Sequence, residues 1–159
     1  NLSEEFIEKY VNKLDWYHIS YTRLMTNPKL KEKVILENNW LYKSQEEKEQ
    51  IAKEFYDIVD DQNKKYVICY KAVESNYKSI YDENYCFNQL NKIYETLCDY
   101  NSSNDNSFGF GCWTYENASK YGKSSINNHR IIKVKVPLDK ICILFNGKIR
   151  AEEMEVIEL

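Results

Sequence analysis

The chain has 159 residues, 43% of them hydrophobic, enough for one buried core in a single domain or a domain with an appendage. Its net charge of −3 and pI of about 5.5, with no basic stripe interleaved with aromatics, exclude a phosphate-backbone footprint, so direct nucleic-acid binding is not expected. The five cysteines are odd in number and lack C-x-x-C spacing, and the two histidines, His18 and His129, lie far apart, which excludes a zinc pattern; no metal site is expected.

Several cysteines fall inside apolar runs, where Cys acts as a small buried hydrophobe. All five are expected to be free thiols in a reducing, cytoplasmic setting. No stretch approaches 18 consecutive apolar residues and none reads as a signal peptide, so no membrane partner is expected; the start at Asn1 points to residues upstream. The 14 tyrosines read mainly as half-buried packing residues, with some serving as recognition surface.

Residues 1–62 read as a helical cap. Leu2, Phe6, Ile7, Tyr10, Val11 and Leu14 fall at helical spacing behind Ser3 as N-cap. Asn27-Pro28 is a break. Ser44-Gln-Glu-Glu47 is a capping box opening a helix that carries Ile51, Phe55, Ile58 and Val59 on one face and ends in Asp57, Asp60 and Asp61. A degenerate repeat runs through this half. Leu2 and Phe6-Ile7 precede Trp16 and Ser20, and Leu30 and Val34-Ile35 precede Trp40 and Ser44 in the same W-x-x-x-S spacing. Two units are too few for a solenoid, which points to a cap on the second half.

Residues 63–159 read as a β-rich domain. Tyr66 to Val73 is a strand, and Cys86 to Tyr100 is ambiguous between helix and strand. Asn101 to Ser107 is a polar loop, followed by a Gly-containing strand, Phe108 to Thr114. Thr114 caps a short helix bearing Ala118 and Tyr121 that Gly122 ends, and Trp113 is expected to anchor this helix to the sheet. Ile132, Val134 and Val136 alternate with Lys133 and Lys135 until Pro137. Ile141 to Phe145 is a buried strand, Asn146-Gly147 a hairpin turn, and Lys148 to Leu159 one returning strand. The fold class expected is α+β: a helical cap on a small, mainly antiparallel sheet with one short helix.

Leu2-Ser-Glu-Glu-Phe-Ile7 with Asp15-Trp-Tyr-His-Ile-Ser20 resembles a repeat common in phage and giant-virus proteins. The second half resembles a phage-encoded domain family of unknown function. The matching segments are Cys69-Tyr-Lys-Ala72, Gly109-Phe-Gly-Cys-Trp113, Ala118-Ser-Lys-Tyr121, Val134-Lys-Val136 and Gly147-Lys-Ile-Arg150 with Met154-Glu-Val156. Ala72 stands where that family has Gly, and Glu153 where it commonly has Lys. These resemblances imply a viral or mobile-element origin and bring no activity.

A second resemblance is to ADP-ribosyltransferases, on the E-x-E spacing of Glu153-Met-Glu155. It implies Glu155 and Glu153 as catalytic carboxylates, one stabilising an oxocarbenium ion and the other activating the acceptor. It also implies NAD as cofactor, held by Lys71, Gly109, Gly111 and Trp113. Lys71 departs from that pattern, which has Arg or His there, and no S-T-S follows. The plainer reading of Glu153 and Glu155 is the wet face of an edge strand. Lys148 and Arg150 share a strand face that suits an anion, or cross-strand pairing with nearby acids. Neither histidine has a nucleophile partner.

The leading expectation is a phage- or mobile-element-type accessory protein without enzyme activity or cofactor. It would bind and inhibit a host protein or complex, in concrete form a defence nuclease, in the manner of an anti-CRISPR protein. The alternative is an ADP-ribosyltransferase-like enzyme using NAD.

Overall fold

The computed structural model describes residues 39–125 and 128–159. The helices and first repeat unit expected before residue 39 lie outside the described residues. Asn38–Leu159 forms one compact unit, so the helix opened by Ser44 belongs to the same body as the sheets.

In chain order the described elements are α1 (Gln45–Lys53), β1 (Asp57–Asp61), β2 (Lys64–Glu74), β3 (Ile93–Glu95), β4 (Phe110–Cys112), α2 (Tyr115–Ser125), β5 (His129–Pro137), β6 (Ile141–Ile143), β7 (Ile149–Ala151) and β8 (Glu153–Glu158). Five strands form one sheet in the order β1-β2-β5-β8-β3, and three form another in the order β4-β7-β6. Every strand pair within them is antiparallel, so the fold is α+β as expected. The core lies where the alternating faces meet. Ile132, Val134 and Val136 of β5 are fully buried, together with Val67 and Val73 of β2 and Met154 and Val156 of β8.

The capping box at Ser44 is present. The Ser44 hydroxyl accepts from the Glu47 amide at 3.2 Å, and the Glu47 carboxylate accepts from the Ser44 amide at 2.7 Å. The helix stops earlier than its apolar spacing suggests. Ile58 and Val59 belong to β1, opposite Val67 and Tyr66 of β2. The cause is the turn: Gln62 and Asn63 both take left-handed φ, 48° and 66°, which is a two-residue hairpin connection. Asp57, Asp60 and Asp61 therefore line a sheet edge rather than a helix end, where charge discourages pairing with another chain. Trp40, in a 3-10 turn (Trp40–Tyr42), is fully buried, and its indole N–H donates to the Leu138 carbonyl at 3.0 Å.

Two further differences bear on the site. The expected single strand from Lys148 to Leu159 is two strands in different sheets. β7 pairs with β4 and β6, while β8 pairs with β5 and β3. The corner is Glu152, whose amide donates to the Lys140 carbonyl and whose carbonyl accepts from the Thr96 amide, both at 2.9 Å. The second helix runs through Gly122 instead of ending there. The role of Gly122 is space: a Cβ would stand 2.3 Å from Cδ2 of His129, so glycine lets α2 approach β5.

All five cysteines are free. Burial pushes the Cys98 thiol up to about 12 and the Cys142 thiol up to about 11, which keeps both protonated and poor nucleophiles at neutral pH. Among the described residues no helix is long and apolar enough to cross a membrane.

Candidate functional site

Side chains of β2 alternate, and Val67, Cys69, Lys71 and Val73 share its buried face. Three are apolar and the fourth is a cation only 7% exposed. The Lys71 ammonium donates to the Gly111 carbonyl at 3.1 Å and stands 5.4 Å from the centre of the Phe87 ring. Gly111 is within reach because β2 and β4 are stitched at the next residues: Tyr70 and Trp113 exchange N–H···O bonds, both 2.8 Å. Among the described residues no carboxylate pairs with Lys71. Burial holds its ammonium below the usual lysine range, the buried thiols of Cys112 and Cys69 push against that shift, and the charge of Lys148 pushes with it.

Lys71 forms the floor of a cleft of about 490 Å3. Aromatic rings make its walls. Trp113 stacks on Tyr121 of α2 with ring centres 4.5 Å apart at 24°, and Tyr85 meets Phe110 edge-on at 4.9 Å. Trp113 is half-buried, a wall of the cleft rather than the sealed anchor its sequence context suggests. At the rim stand Tyr81, 80% exposed, and Phe108, 59% exposed. Gly109 has φ of +130°, a conformation that L side chains rarely adopt, and a Cβ there would meet Cγ of Arg150 at 2.8 Å. At Gly111 a Cβ would press the Trp113 ring at 3.1 Å.

Three cations border this cleft, and among the described residues Asp82 is its one acidic lining residue. The cations differ in what they are free to do. Lys148 lies over the Trp113 ring at 5.7 Å and 3.5 Å from the Asp105 carboxylate. Arg150 is 1% exposed and spends its guanidinium on backbone: Nε donates to the Asp99 carbonyl at 2.9 Å, Nη2 to Asn101 at 2.7 Å, and Nη1 to Asn104. Arg150 thus fixes the loop that carries the rim, and its partners are carbonyls, neither an anion nor strand carboxylates. Lys71 alone combines burial, a single protein acceptor and an opening to the cleft.

Of the residues singled out in the sequence, Lys71, Gly109, Gly111 and Trp113 line this one cleft. Glu153 and Glu155 are not among its lining residues. Glu153 pairs with Lys140 at 2.5 Å and Glu155 with Lys135 at 3.0 Å, while Lys135 also holds Asp61 at 3.3 Å. The Tyr100 hydroxyl donates to the carboxylate of Glu152. Glu153 and Glu155 are thus held in ion pairs within the fold. Tyr81 and Tyr85 come from a segment without apolar period and give no signal in the sequence, whereas Phe108 opens the strand expected over Phe108 to Thr114, which in the structure begins only at Phe110. Among the described residues there is no group of three or more His, Cys, Asp or Glu side chains suited to a metal ion.

No protein-family model matches the chain, and no curated protein or solved structure is significantly similar to it. The cleft offers ring faces and one buried ammonium. These suit holding a ligand.

Proposed function

We propose that this chain is a binding module, a phage- or mobile-element-type accessory protein that engages and inhibits a host protein or complex through the cleft. A defence nuclease is the most concrete partner, which would put its action in the host-cell interior. The observation that carries this reading is the exposed aromatic rim, Tyr81 and Phe108, set over a cleft in which cations outnumber acids in a net acidic chain. Rigid aromatics that keep large exposed area are what recognition surfaces use. The test adds purified chain to a panel of purified defence nucleases. Stoichiometric inhibition of one by wild type, lost in the Tyr81→Ser/Phe108→Ser double variant, is the expected result. Inhibition that the double variant retains in full, or no inhibition across the panel, contradicts it.

The alternative, an NAD-using transferase, is favoured by the convergence of Lys71, Gly109, Gly111 and Trp113 on one cleft. It lacks its carboxylates there, because Glu153 and Glu155 are held in ion pairs outside it. Label transfer from NAD that disappears in Glu155→Gln would overturn the binding reading in favour of this one.

A further inference from the structure

We infer that the cleft takes a flat aromatic ring carrying a single carboxylate, with the carboxylate on Lys71 and the ring against the aromatic walls. This deepens the binding reading above and rests on the cleft being the binding site.

A buried ammonium with no carboxylate partner disfavours the folded state, because its lost hydration is returned by one carbonyl, with the nearby thiols of Cys112 and Cys69 offsetting only part of the burial. An ammonium has three donors, and the Gly111 carbonyl uses one. The cost persists unless something else occupies the remaining donors. The other cations show why the missing partner carries one negative charge. Lys148 already faces Asp105, and Arg150 is spent on three carbonyls. A carboxylate would match Lys71 charge for charge. A phosphate dianion would bring a second charge with no cation left to meet it, since Lys148 and Arg150 are engaged and Asp82 lines the same cleft. Burial lowers the affinity of Lys71 for its proton, and a bound carboxylate acts in the opposite sense.

The ring requirement comes from the walls. Trp113 and Tyr121 form one stacked pair, Tyr81 lies 6.2 Å from Tyr121, and Phe108 stands free at the mouth. A flat ring entering between rim and floor gains stacking and edge contacts that an aliphatic acid of the same charge does not. The volume of about 490 Å3 holds an indole with a short acyl arm and lies in the range of small-molecule sites.

The probe pair is N-acetyl-tryptophan and its carboxamide, which share ring, size and hydrogen-bonding arm and differ in the charge. Calorimetric titration into the full chain is the assay, with AMP and inorganic phosphate as further arms. The acid is expected to bind wild type about 10- to 100-fold more tightly than the amide, the range for a hydrogen bond to a charged group. Lys71→Met should bring the acid down to the affinity of the amide and leave the amide unchanged. If that variant does not fold, the acid–amide comparison on wild type still decides. Equal binding of acid and amide, a preference for AMP or phosphate, or no binding of the acid overturns the inference. Nuclease inhibition that persists without carboxylate binding removes this inference alone. Carboxylate binding without inhibition of any nuclease removes the macromolecular reading alone.

Discussion

Arg150→Met removes a guanidinium and keeps much of the apolar stem, so its effect reads the loop that the guanidinium holds. Three donor bonds run from Arg150 to the carbonyls of Asp99, Asn101 and Asn104. Hydrogen bonds to a charged group contribute about 1.5–3 kcal/mol each when buried. The loop is partly at the surface, so water replaces some of the lost donors, and removing the buried cation recovers part of its desolvation. The net loss should be about 3–5 kcal/mol, a large share of the roughly 5–15 kcal/mol typical of a whole domain. Urea denaturation followed by tryptophan fluorescence gives the stability, and amide hydrogen exchange gives the location. Exchange should quicken first over residues 99–107, because Asn106, Ser107 and Phe108 line the cleft directly after the anchored loop. Arg150→Lys should fall between, since an ammonium keeps the charge but cannot reach three carbonyls in a fork. A midpoint for Arg150→Met equivalent to a change under about 0.5 kcal/mol would refute the anchoring role.

Trp113→Ala should cost about 2 kcal/mol by the same denaturation, below the roughly 3–5 kcal/mol of a fully buried aromatic, because Trp113 is half-buried and its main partner is the Tyr121 ring. A loss above about 4 kcal/mol would show that it is a core anchor after all. Gly122→Ala should destabilise, although alanine in a helix is normally favoured over glycine by about 1 kcal/mol, because the new Cβ meets the His129 ring. A rise in melting temperature would contradict that close approach. Glu155→Gln should change stability by about 1 kcal/mol or less, since Lys135 keeps Asp61 as a partner, and should leave partner binding intact. Loss of binding in that variant would place Glu155 in the functional surface.

The parts of the fold legible in the sequence are those set by local chemistry. Ser44 with Glu47, the alternation of Ile132, Val134 and Val136, and the turn before Lys148 each specify their structure within a few residues. The parts that were not legible depend on partners far along the chain. Ile58 and Val59 continue the spacing of Ile51 and Phe55, so a helix fits them until β2 is available to pair, and the Gln62-Asn63 turn has no glycine to announce it. β7 and β8 are both apolar on alternate positions, so nothing local marks Glu152 as the point where the chain changes sheets. Gly122 reads as a stop because glycine commonly ends helices, whereas here a ring from β5 needs the space. Part of the cleft was visible as Lys71, Gly109, Gly111 and Trp113. A further signal lay in Val67, Cys69, Lys71 and Val73, where a lysine occupies a buried position of a period-two pattern. The rim residue Tyr81 carries no periodic signal, because it sits in an irregular segment between β2 and β3, and Phe108 reads as a strand residue although the strand begins two residues later.

The most direct measurement of the central claim, that the cleft keeps a buried cation for a ligand at the expense of stability, is the stability of Lys71→Met against wild type as a function of pH. The folded-state pKa of Lys71 lies below its ordinary 10.5, so the unfolded chain binds the proton more tightly. The penalty from Lys71 is therefore complete below its folded pKa and fades as pH rises from there towards 10.5. Methionine keeps an apolar stem of similar length and has no charge to bury. Without ligand, Lys71→Met should be more stable than wild type by about 1 kcal/mol or more at neutral pH, with the difference shrinking as pH rises. A variant less stable than wild type, or a difference that stays constant with pH, would contradict it.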